Sequence, residues 1–491
     1  MPLFTLARGK SVQVGVTICC LVAFVLFGYD QGVLGGILEN EDWQAQFDHP
    51  SDTETGIIVS CYNLGCLAGC VINFFVGDLL GRRRNIWLAM GFVLIGATLQ
   101  TSAYNAPHLI VGRIITGFGT GIKTSTVLFV GVGITIAYWF DFGMSFVGGS
   151  VAWRLPIAFQ LVFAIGVIIL VFALPESPRW LFMKGRDQEA INVLCQVHDK
   201  DPSDPSIVAE THSIQKAIEL ELSANKSDSF FSIFKKDNIS TRYRILLAWG
   251  VQFMNQAGGI NLVVYYIPSV LVQNVGFEKR TAQILGGCIN MMFMFGSILP
   301  SIALDRMGRR KTMLWGCLGL GVCMLMVAAL LSRVDYPNGH ACASAAVAFF
   351  FLYMLIFGMS VNCVPWVYVP EILPLEARTR GTAIGVSSNW LWNFTVVMIT
   401  PVIINRLQWK AYLIFMVSNF LFVPIFYVFY PETSNFKLED IDLVFSQGKN
   451  PVSVARQMSK DMTNNASRIS HDSGGNSTGP EKDDIFMVEV A

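Results

Sequence analysis

Eleven apolar runs long enough to cross a bilayer lie near residues 12–34, 56–76, 86–104, 109–139, 156–174, 245–270, 281–303, 312–332, 342–369, 380–404 and 410–430. The pattern predicts an all-α membrane protein. Two longer polar stretches interrupt it: residues 176–243, rich in Lys, Glu and Asp and helix-prone, and a Ser-, Asn- and Asp-rich tail from about residue 432, expected to be disordered past Ser459. The first run lacks a small-residue cleavage site and continues into a polar turn, so it reads as the first span and not as a signal peptide.

Composition agrees. With 53% hydrophobic and 14% charged residues, and a mean hydropathy of +0.50, the chain is too apolar for an ordinary soluble protein and its surface must face lipid. The net charge of +0 hides segregation of charge into short loops, the central stretch and the tail, which argues against nucleic acid as a partner. The 11 cysteines are scattered, mostly within apolar runs (Cys19, Cys20, Cys66, Cys70, Cys317), without metal-ligand spacing, and read as packing residues.

Two pairs of landmarks recur in one order. The turns Gly77-Asp78-Leu79-Leu80-Gly81-Arg82-Arg83-Arg84 and Leu304-Asp305-Arg306-Met307-Gly308-Arg309-Arg310-Lys311 are followed by Pro175-Glu176-Ser177-Pro178-Arg179 and Pro431-Glu432-Thr433-Ser434-Asn435. Such pairs mean two structural repeats threaded through the bilayer. They divide the chain into a first lobe at 1–175, a cytosolic helical linker at 176–243, a second lobe at 244–431 and a cytosolic tail at 432–491, expected to be largely disordered. The excess of Lys and Arg at residues 82–84, 179–186, 235–244, 309–311 and 378–380 places those loops in the cytosol, with both termini, and leaves the acidic loop 39–54 outside.

The repeats are unequal. Asp78 and Pro175 stand 97 positions apart, but Asp305 and Pro431 stand 126 apart, a deficit of 29 in the first lobe. The second lobe also has an inner loop, residues 370–381, without a first-lobe counterpart, so the deficit falls within 109–139. Between the cytosolic turns at Arg84 and Arg179 an even number of crossings is required, yet three runs are present. Either 109–139 folds as two half-length spans of about 15 residues against the roughly 20 needed, or the order of sides inverts.

Ionisable residues inside spans are functional candidates. Asp30, in Phe27-Gly28-Tyr29-Asp30, and Arg113 suggest a pair that alternates between protonated and ion-paired states to couple a proton to transport; the alternative is a static ion pair. Lys123 is a third charge in the crowded run, with no evident role. In Gln252-Phe253-Met254-Asn255-Gln256-Ala257-Gly258-Gly259-Ile260-Asn261, two glycines offer a helix break between Gln256 and Asn261. Asn290, Trp366, Asn389, Trp390 and Asn393 add amides and indoles from other runs. Neutral donors and acceptors beside aromatic faces suit a small, uncharged, polyhydroxylated solute. No nucleophile, metal cluster or phosphate loop marks an enzyme, and no cofactor is expected.

Together these motifs resemble the sugar porter branch of the major facilitator superfamily over nearly the whole chain: Gly-Tyr-Asp in the first span, the two Asp-x-x-Gly-Arg-Arg turns, Gly112-Arg113, Pro-Glu-Ser-Pro-Arg, Gln-x-x-Gly-Ile-Asn followed by Tyr265-Tyr266, Pro365-Trp366 with Glu371, Arg380-Gly381 and the final Pro-Glu-Thr. Ala137-Tyr138-Trp139-Phe140-Asp141-Phe142-Gly143 and Ser388-Asn389-Trp390 are similar to fungal sugar and polyol proton symporters, including the glycerol symporter clade. The resemblance implies a major facilitator fold of two six-helix lobes that rock around a central site. It implies solute contacts from Phe27, Gln256, Asn261, Asn290, Trp366 and Asn389, and proton coupling by Asp30 and Arg113. It also implies an inner gate, pairing across the lobes, from Asp78, Arg82, Arg83, Glu176, Arg179, Asp305, Arg309, Arg310, Glu371, Arg380 and Glu432. Asn255 stands where a Gln is typical, and Lys123 where a neutral polar residue is usual.

After Val127 the family continues with a Pro-x-x-x-Glu stretch, an Arg-Gly turn and the start of the fifth helix with a sugar-touching Gln; here Leu128 follows directly, so parts of helices 4 and 5 are missing. A lost exon or a splice variant is the expected cause. The leading expectation is proton-coupled uptake of a monosaccharide or small polyol at the plasma membrane. A proton-independent facilitator, a sugar sensor on the same scaffold and an inactive product are the alternatives.

Overall fold

The computed structural model describes residues 8–122, 129–224, 237–334, 336–337, 339–434, 436, 438–447 and 450–472, and every regular element among them is helical. The first lobe holds α1 (Lys10–Ile37), the short α2 (Glu41–Gln46), α3 (Asp52–Leu80), α4 (Arg82–Thr101), α5 (Ala106–Ile122), α6 (Val130–Met144) and α7 (Val151–Ala173). Three linker helices follow: α8 (Pro178–Met183), α9 (Asp187–His198) and α10 (Pro205–Ala224). The second lobe holds α11 (Thr241–Ala257), α12 (Ile260–Val270), α13 (Lys279–Met307), α14 (Arg309–Leu331), α15 (Gly339–Met359), α16 (Val364–Ile372), α17 (Arg378–Leu407) and α18 (Ala411–Phe429). Taken as one broken crossing each, α11 with α12 and α15 with α16 give six crossings per lobe among the described residues.

Local chemistry sets the breaks. Gly81 (φ 80°) ends α3 and starts α4, and Gly308 (φ 78°) does the same between α13 and α14. Positive φ excludes most side chains, and space does so too: a Cβ on Gly308 would lie 2.9 Å from Oε2 of Glu432. Between α11 and α12, the carbonyl of Gly258 is freed from the helix ladder and accepts from Oη of Tyr353 (3.0 Å) and Nδ2 of Asn419 (2.8 Å), so the break leaves no stranded backbone acceptor there.

The first lobe resolves the crossing problem by the first of the two routes: the long run splits into two short helices. α5 has 17 residues and α6 has 15, whereas their second-lobe counterparts are the 34-residue Gly339–Ile372 and the 30-residue α17. At 1.5 Å per residue the short pair reach about 25 and 22 Å, against a hydrocarbon core of about 30 Å. α5 runs beside α3 with Gly117 on the carbonyl of Tyr62 and Gly121 on that of Cys66, and its described part reaches Ile122, while α3 continues to Leu80, roughly 21 Å beyond Cys66. α6 begins at Val130, opposite Gly28, although α1 starts at Lys10, about 27 Å deeper. Residues 123–128, with Lys123 and the join of Val127 to Leu128, lie outside the described residues.

The lobes meet at the opposite, acidic end. Asn405 Nδ2 donates to Asp52 (2.6 Å), Ser269 Oγ to Glu39 (2.5 Å) and Lys279 Nζ to Glu41 (2.9 Å), while Tyr138 Oη reaches the carbonyl of Val264 (2.7 Å). Gly56 packs on the carbonyl of Met398, and Gly131 on Met294. At the cationic end, apolar residues of α3 and α13 stand open, Leu79 at 67% and Ile302 at 81% exposure.

The tail departs from the expected disorder. Its helices α19 (Leu438–Ser446) and α20 (Pro451–Asp472) carry apolar residues at helical spacing, with Ile441, Val444, Phe445, Val452 and Ala455 buried. Arg244 of α11 anchors α19 through Asp442 (2.7 Å) and stacks on Phe445. Helix α20 passes Ser459 and is described to Asp472; residues 473–491 lie outside the described residues.

Candidate functional site

Three closely packed helices of the first lobe bury an ion pair. Arg113 of α5 places Nη1 3.4 Å from Oδ1 of Asp30 on α1 and 3.3 Å from the Asp30 carbonyl, and its Nη2 donates to the carbonyl of Val59 on α3 (3.2 Å). Its guanidinium lies over the ring of Tyr62 at 4.8 Å. Both charges are sealed from solvent. A buried pair is costly to desolvate and is weak evidence for stability, so its presence points toward use.

The second lobe builds a chain of neutral amides. Asn389 of α17 donates to Oε1 of Gln252 (2.8 Å) and to Oδ1 of Asn255 (3.3 Å); Gln256 donates to Asn255 (2.8 Å), and Asn261 of α12 donates to Oε1 of Gln256 (2.8 Å). Asn255 is fixed in turn by the carbonyl of Val361 (2.6 Å). The helix break at Gly258 and Gly259 makes this possible, because it brings the start of α12 back toward the last turn of α11. All five amides are buried, yet Nε2 of Gln252 has no hydrogen-bond partner among the described residues.

The remaining expected contacts lie on other helices. Asn290 on α13 donates to its own helix at Gly286 (3.0 Å) and leaves Oδ1 unpartnered, so it does not join the chain. Phe27 of the first lobe meets the Trp390 ring edge-on at 5.7 Å, and both Phe27 and Trp366 pack on one apolar cluster of Tyr62, Cys66, Cys70, Val386 and Trp390 that bridges the lobes. Indole Nε1 of Trp390 and Oδ1 of Asn393 are buried without partners. Orphaned buried donors and acceptors are groups that a hydroxylated solute can satisfy.

The cationic turns repeat one design. The Glu176 carboxylate accepts the backbone N–H of Arg82 (3.0 Å) and Arg83 (3.3 Å), and Glu432 accepts those of Arg309 (2.7 Å) and Arg310 (3.3 Å). Each acid thus caps the start of α4 or α14 at its positive dipole end. Arg83 reaches the carbonyl of Phe172 (3.4 Å), as Arg310 does that of Tyr427 (2.6 Å). Arg309 also pairs with Asp305 (2.7 Å) and Glu371 (2.8 Å). These described pairs stay within one lobe, not across the two as expected, because the Pro-Glu segments leave α7 and α18 directly beside α4 and α14. Arg179 begins the α8 turn and Arg380 the first turn of α17, at the same end, and the Asp78 side chain lies outside the described residues.

A cleft of about 200 Å³ opens at the acidic end, lined by Glu39, Trp43, His49, Asp52, Ser269 and Asn405 among others. It belongs to the outer seam and not to the amide chain. Among the described residues no cluster of His, Cys, Asp and Glu could hold a metal ion. Three residues were not singled out from sequence as contacts: Gln252, Asn255 and Tyr62. Gln252 stands four positions before Gln256, one helical turn, and that spacing could have found it; Tyr62 carried no such signal.

The profile of the family described as Sugar (and other) transporter matches residues 16–130 and 124–445, two segments that overlap where α5 gives way to α6. The MFS-type transporter oryC of Aspergillus oryzae is 38% identical over 453 residues, 87% of this chain and 84% of that protein. The sugar transporter STL1 of Saccharomyces cerevisiae is 32% identical over 490 residues, 92% and 85% of the two chains. The structure of the proton:xylose symporter XylE bound to 6-bromo-6-deoxy-D-glucose superposes with a TM-score of 0.73 at 21% identity, covering 89% of this chain and 100% of that one. At that identity the likeness shows the fold, two six-helix lobes.

Proposed function

We propose, on the premise that this chain belongs to the sugar transporter family of the major facilitator superfamily and is a multi-pass membrane transporter and not an enzyme, that it carries a small neutral polyhydroxylated solute, a monosaccharide or polyol, into the cell together with a proton. The amide chain Gln252–Asn389–Asn255–Gln256–Asn261 carries this reading. Each amide both gives and accepts, and none is charged, so a sugar's hydroxyls can exchange into the chain without leaving an ion behind. Asp30, held by Arg113, is the proton carrier. The cationic ends face the cytosol and the membrane is the plasma membrane; the closed acidic end then makes this conformation inward-facing.

Titrating the purified chain with D-glucose, D-xylose and glycerol, followed by tryptophan fluorescence, tests the binding set. Uptake of the best binder with and without a protonophore separates symport from facilitation: accumulation that survives the protonophore would favour the facilitator. Binding without uptake, but with a transcriptional response lost when the tail is replaced, would favour a sensor.

One observation favours a second reading of the chain as written. Ala106 to Met144 holds both α5 and α6 in 39 residues, against 69 from Gly339 to Leu407 for their second-lobe counterparts, and on this reading the first lobe is too short to close the cationic end, so the chain binds solute without completing the cycle. Sequencing transcripts across the codons for Val127 and Leu128 tests whether about 29 residues have been lost there, the deficit between the repeats.

A further inference from the structure

One side chain stands between the buried ion pair and the amide chain. Tyr62 of α3 is fully buried, and α5 packs on its backbone so closely that a Cβ on Gly117 would lie 2.0 Å from its carbonyl oxygen. That contact leaves the segment no room to shift against α5. The Arg113 guanidinium lies over the Tyr62 ring at 4.8 Å. The same ring belongs to the cluster that includes Trp390 of the second lobe, the residue after Asn389. Around it stand Asp30 from α1, Arg113 and Thr120 from α5, Cys66 from its own helix and Tyr265 from α12. Its hydroxyl faces Asp30, Thr120 and Cys66.

From this placement we propose that Tyr62 is the positioning residue that couples the Asp30–Arg113 pair to the solute chamber, with its ring as a cation–π platform. The inference rests on the proton-coupled reading above. With Asp30 ionised, Arg113 divides its attraction between the carboxylate and the ring. When Asp30 takes up a proton from water, the carboxylate's negative charge is lost and the ring becomes the main electrostatic partner left to the guanidinium. Arg113 then bears more firmly on Tyr62, and through the shared cluster on Trp390 and the neighbouring Asn389. Solute affinity therefore depends on the protonation of Asp30, and the dependence runs through the electron density of the ring.

Solute binding reads this without any need for transport. In the full chain, the dissociation constant of the best-bound solute among D-glucose, D-xylose and glycerol should change by about fivefold or more between mildly acidic and mildly alkaline pH, the lower range of ordinary coupling. Tyr62→Leu should reduce that change to less than about twofold while binding persists, and Tyr62→Phe should preserve it. Should Tyr62→Leu fail to fold, phenylalanines of increasing ring fluorination at position 62 keep the shape and weaken only the cation–π attraction. The pH dependence should then fall step by step with fluorination. A pH dependence that is indifferent to fluorination, or intact in a folded Tyr62→Leu variant, overturns the inference and leaves the symporter reading standing. Failure of the unmodified chain to bind any of the three solutes overturns both.

Discussion

Nη1 of Arg113 lies 3.4 Å from Oδ1 of Asp30, inside the first lobe and away from solvent, while Oδ2 of the same carboxylate has no partner among the described residues. In the proposed mechanism one oxygen holds the cation and the other takes the proton. Asp30→Asn keeps the shape and removes the proton site. In a transport-competent form of the chain, counterflow of labelled solute should continue and uphill accumulation should collapse to equilibration. Both changes leave the buried guanidinium without its carboxylate, but Asp30→Ala is the poorer test, because it also removes the side-chain oxygen that can still accept from Arg113. Accumulation by the Asn variant equal to that of the parent would remove Asp30 from the mechanism.

Asn389 gives its amide to both Gln252 and Asn255, joining α17 to α11. Asn389→Ala leaves two buried acceptors without that donor, a loss of about 1–3 kcal/mol that a bound solute must also bear. Fluorescence titration should show binding weakened by about tenfold or more with the helical circular dichroism unchanged. Unaltered affinity would place the solute elsewhere.

The two acidic caps permit a test of independence. Glu176 and Glu432 serve matching helix starts in separate lobes, so each change to Ala should lower stability by about 0.5–2 kcal/mol, as lost caps do. Because neither acid touches the other's partners, the double variant should be additive within about 0.5 kcal/mol in denaturation of the purified protein. A strong coupling energy would instead restore the gate that pairs across the lobes.

Much of this architecture was legible because a bilayer simplifies the code. Charged turns between apolar runs announce the repeats, and an amide in such a run must find a partner, so Gln256, Asn261 and Asn389 stood out. The unequal spacing of Asp78 to Pro175 and Asp305 to Pro431 pointed to the run that holds α5 and α6. What stayed hidden was partnership. Sequence shows that Glu176 and Arg82 are charged, but not that the carboxylate takes the backbone N–H of its own lobe. Tyr62 looked like any aromatic in a span, since only three dimensions put Arg113 over its ring. The tail misled because its polar composition masked the sparse apolar stripe of Ile441, Val444 and Phe445.

The shortened helices carry the remaining prediction. Gly121 of α5 packs beside Cys66 and α6 begins beside Gly28, and the 39 residues from Ala106 to Met144 must supply two crossings that would ordinarily take about 20 residues each. Inserting the corresponding segment of a family member, about 29 residues, between Val127 and Leu128 would lengthen both helices toward their second-lobe counterparts. The extended protein should melt at higher temperature in detergent and should gain uptake, whereas an insertion of equal length made only of Gly and Ser should do neither, since it supplies length without an apolar helical face. Solute binding should persist in all three proteins, because the amide chain lies in the second lobe, and should be tightest in the protein with the family segment, which restores the Gln expected to touch the sugar. Vigorous uptake by the chain without any insertion would show that half-length α5 and α6 suffice for alternating access.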